Sequence, residues 1–233
     1  MTDRPPNIIA EYHGIEVPEA PHFGSGMIRS MKEGSYEGKE VRAGLSTLRP
    51  GARILEMGAG SGIVGAVLAK NCHPEKMLAI EANPNLIPHI TQLYAHNGLS
   101  GLIEVRHAVV LSDPTAPARV DFFLRGNFLG SALTVLKKPE KAERVSVPVL
   151  RYGDLKQAFP HSVIVMDIEG AEREFLRHAD LEGVETLIFE VHRKIYGRAG
   201  MQEIRDVLAR RGFRMDDEAS VPGVHVYHCA DPR

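Results

Sequence analysis

One carboxylate stands ahead of three glycines at two-residue spacing in Glu56-Met57-Gly58-Ala59-Gly60-Ser61-Gly62. Glycines let the backbone turn tightly and let a ligand approach with no Cβ in the way. A helix starting behind such a turn offers unpaired N–H groups to a polar or anionic ligand. Two cofactors compete for the pattern. Gly60-Ser61-Gly62-Ile63-Val64-Gly65 matches the dinucleotide fingerprint G-x-G-x-x-G. One register earlier, Glu56-x-Gly58-x-Gly60-x-Gly62 is the acidic-first pattern of S-adenosyl-L-methionine sites. A carboxylate helps to hold the ammonium of that cofactor, directly or through water, and repels a pyrophosphate. The methyl donor is therefore favoured, with Glu56, Gly58, Ala59, Gly60 and Gly62 around it.

Glu81 ends the next strand-like run, about 20 residues past the glycines, where an acid accepts hydrogen bonds from ribose hydroxyls. Ala82 and Asn83 follow it on the same rim, and Asn83-Pro84 already supplies a helix start. His107 and Ala108 close a third strand-like run, near where adenine should sit.

A second acidic constellation is Asp167-Ile168-Glu169-Gly170-Ala171-Glu172, behind the most apolar run of the chain. Side chains alternate along a strand, so Asp167 and Glu169 are expected to point the same way. The following run ends Phe189-Glu190-Val191-His192, which brings an imidazole to the same rim. His192 or Asp167 is the expected base, with Glu169 beside them. Asp167 is also expected against the cofactor. Asp167, Glu169 and His192 are oxygen and nitrogen donors that a divalent metal could use, but their spacing is not diagnostic and no metal is assigned. Glu172 reads equally well as a helix-start carboxylate complementing the dipole. Glu37 either reaches the methionine ammonium or is a solvated helix start.

These residues need a scaffold that brings strand ends together. Strands are expected over residues 53–57, 76–81, 102–110, 162–168, 186–191, 213–215 and 224–229. Helical patterns fall between them, over 37–48, from the glycines to about 70, and over 84–97, 153–159, 171–179 and 202–211. In 84–97, Leu86, Ile90, Leu93 and Tyr94 form one stripe, and Gly98 is a natural stop. The runs at 163–166 and 187–191 are apolar throughout, as in strands covered on both faces. Strands alternating with helices predict an α/β fold: a mostly parallel seven-stranded sheet with helices on both faces. The rhythm breaks over 111–161, where short strands at 122–124, 132–136 and 144–150 predict a small β-rich insertion. Residues 1–36 are expected to form an N-terminal arm acting as a substrate lid, with one short helix, and residues 37–233 a single domain.

The order of these pieces resembles the FkbM-type S-adenosylmethionine-dependent methyltransferases, from about residue 34 to about 212. The resemblance rests on Gly34-Ser35-Tyr36-Glu37, the glycine loop, Glu81-Ala82-Asn83-Pro84 and Asn97-Gly98. It continues through Val147-Pro148, Gly153–Leu155, Met166–Glu172 and Phe189–His192. It implies a class I methyltransferase, Rossmann-like fold. It also implies methyl transfer to a hydroxyl oxygen, with sugar and polyketide acceptors among relatives, leaving S-adenosyl-L-homocysteine as product. Two positions depart from the family pattern: Glu56 stands where Asp is usual, and Gly60 where Asn is usual.

Composition narrows the partners. A net charge of −2, from 28 basic and 30 acidic residues, gives no global pull toward nucleic acid or an anionic membrane. No run approaches the ~20 apolar residues of a membrane span. Cys72 and Cys229 are far apart and lack ligand spacing, so reduced thiols and a cytoplasmic location are expected. A small hydroxylated acceptor is the expected partner, with no membrane and no nucleic acid, and a homodimer is compatible with the sequence. Two alternatives stay open: an NAD(P)-dependent oxidoreductase using Gly60–Gly65, and a cofactor-binding protein without catalysis.

Overall fold

The computed structural model describes residues 6–124 and 143–231. Ile8–Tyr12 (β1) and Ile15–Pro18 (β2) pair antiparallel. His13 and Gly14 join them with φ of 48° and 79°, the left-handed pair that a two-residue hairpin turn requires. Ala10, Tyr12, Ile15 and Val17 are buried in the core. Ser25–Lys32 (α1) and Gly38–Thr47 (α2) follow. The N-terminal segment, expected as an arm with one helix, thus begins as a hairpin packed into the domain. Tyr12 Oη donates to the Tyr36 carbonyl at 2.6 Å, tying the hairpin to the entry of α2.

The doubly wound part starts at Arg53–Met57 (β3), Ile63–Cys72 (α3), Lys76–Glu81 (β4), Ile87–His96 (α4) and Ile103–His107 (β5). The strand expected over 102–110 breaks at Ala108. Val109–Leu111 (β6) leaves the main sheet to pair with Glu143–Arg151 (β8), which also pairs with Arg119–Leu124 (β7). This small sheet is the β-rich insertion; the strand expected at 132–136 lies outside the described residues. Tyr152–Ala158 (α5), Val163–Met166 (β9), Glu172–His178 (α6) and Thr186–Glu190 (β10) resume the rhythm. Arg193–Arg210 (α7), Phe213–Met215 (β11) and Val224–Cys229 (β12) complete it. Helix α7 starts nine residues earlier than expected, because a kink at Gly197 (φ 61°, ψ −169°) interrupts its apolar pattern.

The main sheet has the order β11-β12-β10-β9-β3-β4-β5. Strands β5, β4, β3, β9 and β10 pair in parallel, whereas β12 opposes both of its neighbours, so the sheet is mixed rather than purely parallel. Alternation along the strands feeds two cores. Ile54 packs with α2, α3 and α4 on one face, while Leu55 and Met57 pack with α5, α6 and α7 on the other. Each fully buried side chain of this kind contributes about 1.5–3 kcal/mol. The chain reverses its winding beside β3, with β4 on one side and β9 on the other. Ligands in such sheets bind at the carboxyl ends of the strands at this switch point.

Candidate functional site

Gly58, Gly60 and Gly62 have φ of 85°, 56° and 79°, while Gly65 lies inside α3. The left-handed glycines therefore follow the acidic-first register. A Cβ on Gly58 would run into the Asp167 carbonyl, and a Cβ on Gly65 into the Glu56 carboxylate. The loop is drawn tight by the Gly58 and Ala59 N–H groups, which donate to the Ile80 carbonyl at 2.9 and 3.0 Å. Asp167 N–H donates to the Met57 carbonyl at 2.9 Å, bringing the turn after β9 against the loop.

Two cavities meet at this point. The first, about 760 Å³, is lined by Gly60, Glu81, Ala82, Ala108, Phe122 and Glu169 among others. The second, about 560 Å³, is lined by Tyr36, Glu37, Glu40, Glu56, Ala59 and Glu190 among others. Met57, Gly58, Gly60 and Asp167 belong to both walls. The insertion reaches the first cavity through Phe122. Tyr36 closes the second and meets Ser61 of the loop, Oη to Oγ at 3.1 Å.

Glu81 is 7% exposed, and its two oxygens accept the N–H groups of Gly60 and Asn83, both at 2.7 Å. Burial, partly offset by those N–H groups, pushes its carboxyl up to about 7. Glu56 is 3% exposed and turns beneath the loop, where burial and then the charge of Glu81 push it up to about 8 against the Gly65 N–H. Its Oε2 is buried without a hydrogen-bond partner. His107 and Asn83 stand behind the wall: the His107 Nε2 lies 3.0 Å from the Ala82 carbonyl, and Asn83 Oδ1 accepts the Asn85 N–H. Gly62 shapes the loop without lining either cavity.

The second constellation is built differently from the strand-end expectation. Strand β9 stops at Met166, and Glu169 is left-handed with φ of 53°. A turn, not strand alternation, sets the directions of Asp167 and Glu169. His192 is the N-cap of α7 rather than a strand tip. Its Nε2 faces Glu169 Oε2 at 3.4 Å, and Asp167 Oδ1 and Glu190 Oε2 at 3.7 Å each. Burial alone would lower the imidazolium, but contacts with Glu169 and Glu172, and the charge of Asp167, hold His192 up to about 11. Burial, then Glu190 and Glu169, raise Asp167 well above the usual carboxylate range. Its side chain is 36% exposed, yet its Oδ1 is sealed from solvent. Glu37, itself left-handed with φ of 45°, is pushed up to about 7 by burial and then by Glu40 and Glu190.

Asp167, Glu190 and His192 each present one donor atom within 4.8 Å of the others, a spacing that ion pairing around His192 also accounts for. Glu190, Glu40 and Tyr196 were not singled out from the sequence. For Glu190 the signal was present, since it is the last residue of β10 beside His192. Nothing local marks Glu40 or Tyr196.

The site suits a nucleoside carrying positive charge. Gly58 and Gly60 line both cavities. Glu81, Asp167 and Glu169 border the first, and Glu37, Glu40, Glu56, Asp167 and Glu190 border the second, complementary to an ammonium and a sulfonium.

The methyltransferase FkbM domain matches residues 56–215. No curated protein matches the chain. Among solved structures, an uncharacterized protein of Listeria monocytogenes serotype 4b is 16% identical, with a TM-score of 0.50 over 84% of this chain and 69% of that one. A Streptococcus pneumoniae protein assigned as a tRNA methyltransferase, in complex with S-adenosyl-L-methionine, is 15% identical, with a TM-score of 0.49 over 84% and 74%. A precorrin-6y C5,15-methyltransferase of Geobacter metallireducens is 12% identical, with a TM-score of 0.48 over 94% and 95%. At 16% identity the Listeria structure speaks to the fold alone. The domain match covers more than half of the 233 residues, with Glu56, Glu81, Asp167 and His192 all inside it: the chain belongs to the FkbM methyltransferase family, and S-adenosyl-L-methionine is its cofactor.

Proposed function

We propose that the protein transfers a methyl group to a hydroxyl oxygen of a small molecule, releasing S-adenosyl-L-homocysteine. The observation that carries this reading is Asp167, which walls both cavities and has a raised carboxyl. Bound S-adenosyl-L-methionine supplies a methyl group on a good leaving group. An alcohol is a weak nucleophile, so the protein must align it, exclude water and take its proton.

In this reading Glu81 accepts hydrogen bonds from the ribose, with Ala82 and Ala108 flanking the base. Glu37 and Glu56 face the ammonium. The role of base falls to Asp167 rather than His192, because an imidazole held up to about 11 is already protonated at neutral pH. Glu169 and His192 keep Asp167 in place. Tyr36 and Phe122, from the N-terminal segment and the insertion, shape the acceptor side.

Labelled-methyl transfer should be screened over glycosides, polyketides and nucleotides, with tRNA as a control. Asp167→Asn should lower turnover by about 10²–10⁴-fold while retaining S-adenosyl-L-homocysteine binding. Undiminished turnover in that variant removes Asp167 as the base. Label appearing on nitrogen, or in tRNA alone, overturns the hydroxyl acceptor.

A further inference from the structure

Glu172 is completely buried, although it opens helix α6. A carboxylate that merely complements a helix dipole sits at the surface and faces its own first turn. Glu172 does neither. Its Oε1 accepts the N–H groups of Ile168 at 3.0 Å and Gly170 at 3.3 Å, both upstream of the helix. The same oxygen lies 3.2 Å from His192 Nδ1, an ion-pair contact outside hydrogen-bond geometry. Its Oε2 accepts a hydrogen bond from Tyr196 Oη at 3.1 Å, and Tyr196 Oη accepts the His192 backbone N–H at 2.6 Å. One buried side chain thus holds the turn that carries Asp167 and Glu169, and reaches His192 by two routes. Burying a carboxylate is costly unless its lone pairs are engaged, and here both oxygens are.

This arrangement has a directional consequence. An imidazole has two distinct edges, and the partner of one nitrogen determines what the other faces. With Nδ1 against Glu172, Nε2 is turned toward Asp167, Glu169 and Glu190. Among the described residues, Glu172 is the one carboxylate paired with Nδ1. Gly170 completes the turn: its φ is 99°, and a Cβ there would collide with Ile195 of α7.

We propose that Glu172, acting with Tyr196, is a positioning residue that sets the edge of His192 facing Asp167, Glu169 and Glu190 and the placement of the Asp167–Gly170 turn. The proposal rests on the reading of Asp167 as the group that meets the acceptor. Its primary test does not. Glu172→Gln keeps the shape and an acceptor for the two backbone N–H groups, but removes the charge facing Nδ1. In histidine-labelled protein, with the His192 signals assigned through His192→Gln, the Nδ1 and Nε2 resonances should both move in Glu172→Gln. Affinity for S-adenosyl-L-homocysteine and the circular dichroism spectrum should stay as in the wild type. Tyr196→Phe, which leaves the Glu172–Nδ1 contact in place, should shift these resonances less. Unchanged His192 resonances in Glu172→Gln overturn the proposal, whatever the acceptor proves to be. With an acceptor in hand, kcat should fall by up to ~100-fold with KM for the methyl donor unchanged, as expected for misplacement rather than lost binding. An unaltered kcat also overturns it. Absence of hydroxyl methylation alongside moved resonances sinks the function proposed above and leaves the positioning role standing.

Discussion

Glu56→Gln should make the protein more stable at neutral pH and less able to hold its cofactor. Glu56 is 3% exposed, and its carboxyl is pushed up from an ordinary 4.5 to about 8, chiefly by burial. A folded-state value above the unfolded one means that the native protein binds the extra proton. Stability from this group is then fully present below about pH 4.5 and lost as pH rises toward about 8. The loss runs at about 1.4 kcal/mol per pH unit, so at pH 7 it reaches about 3 kcal/mol. An amide does not titrate, and its carbonyl can still accept the Gly65 N–H. Urea denaturation at pH 5, 6 and 7 should show the variant gaining on the wild type at each step. By pH 7 the gap should be about 3 kcal/mol, or ~6–12 °C in thermal midpoint. Cofactor affinity at pH 7 should fall over the same comparison. A stability difference that does not vary with pH would refute the assignment of a desolvated, protonated carboxyl.

Gly58→Ala places an L residue at φ of 85° with its Cβ against the Asp167 carbonyl. It should cost about 2–5 kcal/mol by denaturation and abolish cofactor binding; a variant as stable as the wild type would count against the tight junction of the two turns. Glu81→Gln leaves one acceptor where the Gly60 and Asn83 N–H groups now use two. Affinity for S-adenosyl-L-homocysteine should drop ~10–100-fold by calorimetry, and an unchanged value would remove Glu81 from the ribose. A cationic ligand lowers the carboxyl values of Glu37, at about 7, and of the raised Asp167, so it expels protons. At pH 7, S-adenosyl-L-methionine should therefore release more protons than uncharged-sulfur S-adenosyl-L-homocysteine, measured by calorimetry in buffers of different ionisation enthalpy. Equal release would mean that the carboxylates do not sense the sulfonium.

The strands were legible where apolar runs meet hard punctuation. Residues 53–57, 76–81, 213–215 and 224–229 were expected as strands and are strands, because Gly, Pro or charged residues bound each run. The hairpin at Ile8–Pro18 was missed because its strands are short and its turn is His13-Gly14, where Asn or Asp is the usual signal. The split at Ala108 has no local mark: β6 departs because β8, some 35 residues later, offers a parallel partner. Position along the chain brought Asp167, Glu169 and His192 to one rim. It could not show that a left-handed Glu169 turns its carboxylate to the imidazole, or that α7 rather than β10 carries His192. The buried state of Glu172 was equally illegible, since its partner Tyr196 lies beyond a strand and a turn.

Strand register explains why the acids lie where they do. Met57 pairs with Ile80 on one side and Met166 on the other, and Met166 pairs with Phe189. One residue further along each strand come Glu81, Gly58, Asp167 and Glu190, a single row across the carboxyl edge of the sheet. Neighbouring strands lie about 4.8 Å apart. Carboxylates on adjacent strands therefore repel, as Asp167 and Glu190 do, and this repulsion adds to burial in raising Asp167. Glycine at 58 breaks the row. It separates the acid that suits a ribose from the pair that faces His192, and it lines both cavities. A side chain there would meet the Asp167 carbonyl before it touched any ligand. The glycine is thus required by the packing of β3 against β9. That requirement lies in the backbone and would persist in a chain that had lost the acids of the row.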